Sequence, residues 1–166
     1  PLADVQSLVR WLRMVRPKGR FLELGTSLGV TTAHLATSGW HIDTWEGCPE
    51  TMRLAQKGWH EVGCAAQITA KQGAFADHLA ALDDQTWDVV YLDGHHQGDA
   101  TLDLAEALSP RTTVAMVVDD IAWSRDMYRT WEVLRMQDQW RVTFTWRGRG
   151  FLLKAPEMAR QHLRLA

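Results

Sequence analysis

Two continuous apolar runs constrain the fold of this chain more than any other feature. One lies in "WDVVYLDG", from Trp87 to Gly94, and the other in "TTVAMVVDD", from Thr112 to Asp120. Neither run shows the apolar–polar alternation of a strand with one face in water. A strand that is apolar throughout is typical of a parallel sheet covered by helices on both faces. The two runs therefore predict two central strands of such a sheet.

The segments around these runs alternate between strand and helix patterns. An amphipathic helix comes first, β-α units follow about five times, and "WRVTFTW-RGRG-FLLK" predicts two strands joined by a glycine-containing turn. Alternating β and α segments place helices on both faces of a parallel sheet. The sequence therefore predicts an α/β, doubly wound Rossmann-like, mostly parallel sheet with a C-terminal antiparallel hairpin strand. Without a linker or an internal repeat, we expect one domain spanning residues 1–166.

Composition and charge exclude several classes of function. The net charge of −2 argues against a general nucleic-acid or membrane-surface binder. No apolar run approaches the roughly 20 residues that a membrane-spanning helix needs. The two cysteines, Cys48 and Cys64, make no disulfide framework and are expected to be free thiols. These features predict a cytoplasmic protein that does not bind membranes.

The stretch "FLELGTSLG" reads as a short apolar strand that runs into a turn with two glycines. In sheets of this kind, ligands bind at the carboxyl ends of the strands, beside the first strand. The spacing Glu23-x-Gly25-x-x-x-Gly29 differs from the GxGxxG of dinucleotide sites, and an acid before the turn disfavours phosphate. S-adenosylmethionine carries an ammonium, a sulfonium and no phosphate, so the pattern favours it. Glu46, at the end of the second predicted strand, could accept hydrogen bonds from both ribose hydroxyls.

Four stretches then carry a family resemblance. "FLELGTSLGVTTAHLA" resembles the first motif of class I S-adenosylmethionine-dependent methyltransferases, and "IDTWEG" resembles the second. "KQGAFADHLAAL" is similar to the segment that flanks the adenine, and "WDVVYLDGHH" to the fourth-strand motif. The resemblance implies S-adenosylmethionine as cofactor and S-adenosylhomocysteine as product. It implies cofactor contacts from Glu23, Gly25, Thr26, Ser27, Gly29, Trp45, Glu46, Gly73, Ala74, Phe75 and Asp93.

The later motifs narrow the subclass. "VVYLDGHHQGDATLDLAEAL" resembles small O-methyltransferase-like families whose motif reads Asp-Gly-x-His. "VVDDIAWSRDMYRTWEVL" resembles a bacterial branch with Asp-Asp-Ile-x-Trp-Ser. The resemblance implies methylation of a small-molecule hydroxyl, with His96 as base or substrate contact and with His95 and Asp93 as further catalytic candidates. A histidine suits this role because it can accept a hydroxyl proton near neutral pH.

The acids that follow the two apolar runs raise the question of a metal. Relatives of the catechol O-methyltransferase type place acids at the ends of the fourth and fifth strands, which here implies Asp93, Asp119 and Asp120 as metal ligands. Because neighbouring strands lie roughly 5 Å apart, these acids should converge at one rim of the sheet. Carboxylates that converge repel unless a cation bridges them, and Mg²⁺ prefers oxygen ligands. The alternative is that they cap helices and turns, so Mg²⁺ assistance stays open.

Three functions remain in competition at this point. The leading one is a small-molecule O-methyltransferase, with or without Mg²⁺. The second is a catalytically silent module that binds S-adenosylmethionine or serves as a partner subunit. The third is an NAD-dependent oxidoreductase, which the absence of a phosphate turn disfavours. The short chain leaves room for a second subunit to complete the acceptor pocket, so a homodimer is one expected arrangement.

Overall fold

A computed structural model describes residues 2–164 of the chain. They fall into two compact units, with the boundary between Asp83 and Asp84. The single domain expected for residues 1–166 stays a prediction, and its terminal residues 1, 165 and 166 lie outside the described part.

The first unit alternates helices with three parallel strands. Its elements are α1 (Leu2–Val15), β1 (Arg20–Leu24), α2 (Val30–Thr37), β2 (His41–Glu46), α3 (Pro49–Glu61), β3 (Ile68–Gln72) and α4 (Phe75–Ala80). The strand order is β3-β2-β1, with Leu24 opposite Trp45 and Glu46 opposite Gln72. The carboxyl ends of these three strands therefore lie along one edge and carry the loops that follow them.

The amphipathic patterns account for the packing of this unit. Leu8 and Leu12, on the predicted inner face of α1, are fully buried. Pro49 occupies the first turn of α3, where its missing N–H costs nothing. β1 is buried at four of its five positions, which matches its apolar sequence. The core of the unit thus fixes the direction of β1 and β2 as they enter their loops.

The second unit contains five strands. Its elements are β4 (Trp87–Leu92), α5 (Gly98–Leu108), β5 (Thr112–Val118), α6 (Arg125–Leu134), β6 (Val142–Trp146), β7 (Arg149–Leu153) and β8 (Gln161–Arg164). The order is β4-β5-β7-β6-β8; β4 and β5 are parallel, whereas β7 is antiparallel to both of its neighbours. β4 and β5 are almost wholly buried, as their continuous apolar runs require.

The predicted fold class is confirmed: the chain has a mixed α/β Rossmann-like fold with mostly parallel strands and an antiparallel C-terminal hairpin. The hairpin turn is shorter than "RGRG" suggested. Arg147 and Gly148 alone make the turn, at φ 49° and 78°, and such positive φ values at both central positions suit the twist of a tight hairpin. Arg149 and Gly150 therefore belong to β7. The short strand β8, which pairs parallel with β6, was not predicted.

None of the helices within residues 2–164 has the length and hydropathy needed to cross a membrane.

Candidate functional site

The loop between β1 and α2 is shaped by its two glycines. Gly25 has φ 102° and Gly29 has φ 70°, and residues that carry a Cβ atom rarely adopt these backbone conformations. The carbonyl oxygen of Trp45 accepts hydrogen bonds from the N–H groups of Gly25 and Thr26, at 2.9 and 3.3 Å. These bonds continue the pairing of β1 and β2 into the loop.

Gly29 is required by packing as well as by backbone conformation. A Cβ atom at this position would lie 2.5 Å from Nε1 of Trp59 and 2.8 Å from Cβ of Ala55, both on α3. The same indole nitrogen donates to the carbonyl oxygen of Gly29 at 2.9 Å. The start of α2 is thus held against α3.

A chain of hydrogen bonds runs beneath this loop to Glu23. The hydroxyl groups of Thr32 and Thr44 donate hydrogen bonds to Oε2 of Glu23, at 2.5 and 2.7 Å. Because the proton of Thr44 is used in this way, its oxygen accepts from the hydroxyl of Thr26, 2.6 Å away. Glu23 is only 1% exposed. The structure therefore ties Glu23 to the framework of the loop, and its direct contact with a cofactor stays a prediction.

Burial changes the ionisation of this carboxyl group. The pKa of Glu23 is raised from 4.5 to about 7, chiefly by removal from water and to a smaller extent by the charge of Glu46, while the hydrogen bonds from Thr32 and Thr44 act to lower it. Near neutral pH a large fraction of Glu23 is therefore uncharged. A buried carboxyl that is half protonated is a weaker cation ligand than the sequence motif suggested.

Glu46 lies at the carboxyl end of β2 and joins two loops. One carboxylate oxygen accepts from the N–H of Ser27 and the other from the N–H of Cys48, both at 2.8 Å. Ser27 has a positive φ of 49°, a left-handed conformation within this loop. A carboxylate offers about four acceptor positions, so each oxygen retains capacity for one more hydrogen bond. The structure thus brings Ser27 and Glu46 together, and the contact of Glu46 with a ribose stays a prediction.

Residues 73–75 continue this edge after β3. Gly73 donates its N–H to the carbonyl oxygen of Glu46 at 2.9 Å, and its φ of 141° again calls for glycine. Ala74 precedes the first turn of α4, which begins at Phe75. His78 on α4 packs on the ring of Trp45 with 5.2 Å between ring centroids. Trp45 itself is 1% exposed, so it serves the core, and its contact with adenosine stays a prediction.

In the second unit, the loop after β4 carries the predicted proton acceptor. Nε2 of His96 lies 3.9 Å from Oδ1 of Asp93, and both side chains are about one-third exposed, at 28% and 31%. The ring of His96 faces that of Trp123, with 6.0 Å between centroids. Trp123 is 71% exposed and His95 is also exposed. His96 thus has an acidic and an aromatic neighbour, and its role as proton acceptor stays a prediction.

Asp119 follows β5 and is nearly buried, at 8% exposure. Its Oδ2 accepts hydrogen bonds from the hydroxyl of Tyr91 and from Nε of Arg149, the latter at 3.1 Å. Its Oδ1 accepts from the N–H of Asp120 at 2.8 Å. Burial, together with the charges of Asp93 and Asp119, raises the pKa of Tyr91 well above its usual value of 10, so the phenol stays protonated and donates.

The metal prediction gains no support from this geometry. Within residues 2–164 no three histidine, cysteine or acidic side chains are grouped so that they could hold a metal ion. The carboxylate of Asp119 is already held by Tyr91, Arg149 and its own chain. Asp93 and His96 lie in the loop after β4, and the backbone of Asp120 is in a left-handed conformation, at φ 51°.

Sequence reasoning missed several residues of the site. Tyr91 sits within an apolar run, where it looks like one more core residue. Arg149 was assigned to a turn, and only the short two-residue turn places it on β7. Thr32 and Thr44 gave no signal beyond the polar positions that they occupy on α2 and β2. His78 was one of several scattered histidines, and its place beside Trp45 depends on the packing of α4.

Comparison with known proteins bears on this geometry. Residues 22–121, more than half of the chain, match the family described as Methyltransferase domain. No curated protein sequence matches the chain. Three solved structures show its fold: cofactor-bound Rv0187 from MTB, the O-methyltransferase TomG from Streptomyces achromogenes in complex with SAM, and an O-methyltransferase from Bacillus cereus in complex with SAH.

These structures are similar in fold and distant in sequence. Rv0187 is 18% identical with a TM-score of 0.77, and the match covers 92% of this chain and 80% of that one. TomG is 17% identical with a TM-score of 0.76 and the same coverage. The Bacillus cereus enzyme is 14% identical with a TM-score of 0.73, covering 91% and 79%. The chain therefore belongs to the methyltransferase domain family, with the fold of the class I S-adenosylmethionine-dependent methyltransferases.

Proposed function

We propose that this protein transfers the methyl group of S-adenosylmethionine to a hydroxyl oxygen of a small molecule. The observation that carries the proposal is the match of residues 22–121 to the methyltransferase domain family. O-methyltransferases with bound SAM or SAH among the structures of the same fold support it. The proposal favours this reading over the NAD-dependent oxidoreductase and the catalytically silent module.

The loops of the first unit supply the groups for the methyl donor. Glu46 would accept hydrogen bonds from the ribose hydroxyls, because each of its oxygens has one acceptor position to spare beside Ser27 and Cys48. Gly25 and Thr26 would present backbone to the amino-acid part of the donor. Gly73, Ala74 and Phe75 would flank the adenine. No phosphate group is required at any of these contacts.

The loop after β4 supplies the group that accepts the proton. The acceptor hydroxyl would give its proton to His96, whose Nε2 lies 3.9 Å from Oδ1 of Asp93. The hydroxyl oxygen would form a bond to the methyl carbon while the carbon–sulfur bond breaks. The electron pair of the broken carbon–sulfur bond would stay on sulfur. The products are the methyl ether and S-adenosylhomocysteine, with the proton on His96. Orientation of the two reactants accounts for most of the remaining acceleration.

The test begins with binding of S-adenosylhomocysteine, measured by calorimetry. We expect Gly25→Val to abolish binding, because a branched side chain would stand in the loop that receives the ligand. Gly39→Val is the matched control: Gly39 has a similar φ of 95°, but it lies at the amino end of β2, and a Cβ there would approach only Lys18, at 3.9 Å. The control therefore reproduces the backbone strain away from the proposed site.

Catalysis is then measured with S-adenosylmethionine labelled in the methyl group and a panel of phenols, catechols and aliphatic alcohols. We expect transfer of label to at least one hydroxyl compound, with S-adenosylhomocysteine formed in equal amount. Binding that is unchanged in Gly25→Val, or lost equally in Gly39→Val, would count against the site. Binding without transfer to any acceptor would favour the silent module instead.

A further inference from the structure

We infer that Arg149 occupies the place of a divalent cation beside Asp119, so that this protein works without a metal ion and uses Asp119 as a positioning residue. The inference rests on the proposed function, because it concerns how the hydroxyl acceptor is handled. It departs from the metal site that the acids after β4 and β5 suggested.

The first argument is the occupancy of the Asp119 carboxylate. Oδ2 accepts from the hydroxyl of Tyr91 and from Nε of Arg149, while Oδ1 accepts from the N–H of Asp120. The Arg149 and Asp119 side chains are only 13% and 10% exposed, and Tyr91 is 1% exposed. Both oxygens thus have donors at hydrogen-bond distance in a site with little access to water. A metal ion would have to replace these donors at the same oxygens.

The second argument is charge. A guanidinium carries its positive charge at all accessible pH values, and it is fixed 3.1 Å from Oδ2. A divalent cation at Asp119 would stand beside this charge where partial burial weakens screening, so the two cations would repel strongly. The guanidinium already neutralises the acid that a metal would otherwise neutralise. Arg149 therefore removes the electrostatic reason for a metal at this position.

The third argument is that the fold holds Arg149 in place. The two-residue turn at Arg147 and Gly148 makes Arg149 the first residue of β7, and Gly150 then pairs with Val118 at the end of β5. A Cβ on Gly150 would lie 2.4 Å from the Trp131 ring, so glycine lets β7 approach α6 closely. Arg149 is thus set beside the residue that follows β5 by register and packing, independently of its side-chain rotamer.

The ion pair also positions the loop after β5. The carbonyl oxygen of Gly148 accepts from the N–H of Ile121 at 3.0 Å, and that of Asp120 accepts from the N–H of Trp123 at 2.8 Å. Together with the Asp119 carboxylate, these bonds fix the loop that carries Trp123 over His96. Asp119 therefore acts through the position of other residues, and proton transfer is left to His96.

The decisive test measures binding of Mn²⁺ alone to the wild-type chain after treatment with chelator, using the electron paramagnetic resonance signal of free Mn²⁺. We expect no saturable site that Mg²⁺ competes for, and we expect methyl transfer to be unchanged by chelator or by added Mg²⁺. A one-to-one Mn²⁺ site displaced by Mg²⁺ would overturn the inference, and so would loss of transfer with chelator that Mg²⁺ restores.

Two variants test the role of the guanidinium. Arg149→Met should leave the Asp119 carboxylate uncompensated and strengthen Mn²⁺ binding by about tenfold or more, since a cation then has an anionic partner. Arg149→Lys keeps the charge and should not. Arg147→Met is the matched control. Arg147 lies two residues before Arg149 and packs on the ring of Trp146, and its replacement should leave Mn²⁺ binding as in the wild type. Equal Mn²⁺ binding in Arg149→Met and Arg147→Met would refute the compensation argument.

Different results would refute the proposed methyl transfer and the inference that Arg149 takes the place of a metal ion. Absence of methyl transfer under every metal condition would refute the proposed function, while the Mn²⁺ measurements would still decide the inference. Transfer that requires Mg²⁺ would refute the inference and leave the proposed function standing. The wild-type measurements decide the question even where a variant does not fold.

Discussion

Replacement of Glu23 by glutamine should change how the stability of this protein depends on pH. The folded-state pKa of Glu23 is raised from 4.5 to about 7 by burial. A raised carboxyl pKa means that the folded state favours the protonated form. The stability linked to this group is therefore fully present below pH 4.5 and is lost as the pH rises through about 7.

The size of the effect follows from that rise. With roughly 1.4 kcal/mol for each tenfold change in an ionisation constant, ionising Glu23 in the folded protein costs about 3.5 kcal/mol more than in the unfolded chain. Wild-type unfolding free energy should therefore contain a decrease of about 2.5 kcal/mol between pH 5 and pH 8.5 that the Glu23→Gln variant lacks. Glutamine has the same shape and keeps an oxygen that accepts from Thr32 and Thr44.

The assay is urea unfolding followed by tryptophan fluorescence at pH 5, 7 and 8.5. The control is Glu61→Gln, an exposed acid on α3 paired with Lys57 at 3.7 Å, whose replacement should leave the pH dependence as in the wild type. The reasoning is refuted if Glu23→Gln and the wild type keep a constant difference in unfolding free energy across this range. A variant whose loss of stability relative to the wild type grows with pH would show that the folded state favours the charged form of Glu23.

Two further predictions concern packing and proton transfer. Gly29→Ala should lower the free energy of urea unfolding by about 2–4 kcal/mol, because its Cβ would lie 2.5 Å from Trp59 and its φ is positive. Gly63→Ala is the control. Gly63 has φ 73° and a Cβ there would have nothing within 4 Å, so this change should lower the same free energy by only about 1 kcal/mol. Similar losses in the two variants would contradict the packing argument. His96→Gln should lower kcat about 100-fold in the labelled-cofactor assay, at least ten times more than His95→Gln, because the proposed step places the proton on His96, beside the carboxylate of Asp93. Comparable rates for both variants would remove His96 from the proposed step.

The sequence predicted the fold well because its signals were local. The apolar runs of β4 and β5 identified buried parallel strands, and the glycine turn after β1 marked the edge where ligands bind in such folds. The positions of Ser27 and Glu46 at that edge followed from strand order. Helix and strand types were right for the same reason, since hydrophobic period depends on neighbours in the chain.

The parts that were not predicted depend on contacts between distant segments. Glu23 was expected to favour a cationic ligand, because a sequence does not show that Thr32 and Thr44 donate hydrogen bonds to it from α2 and β2. The acids after β4 and β5 suggested a metal because the partner of Asp119, Arg149, lies 30 residues further along the chain. Its assignment to a four-residue turn hid it.

The buried carboxyl of Glu23 also limits how the sequence of this protein can drift. Loss of the acid alone would leave the hydroxyls of Thr32 and Thr44 without their acceptor, and loss of either threonine would leave the acid short of a donor. Thr32 and Thr44 lie 9 and 21 residues from Glu23 in the chain. The effects of mutations at these three positions should therefore depend on one another. A lineage that exchanges the acid for an apolar residue should exchange the threonines for valine or alanine as well, with the intermediates less stable than either end point.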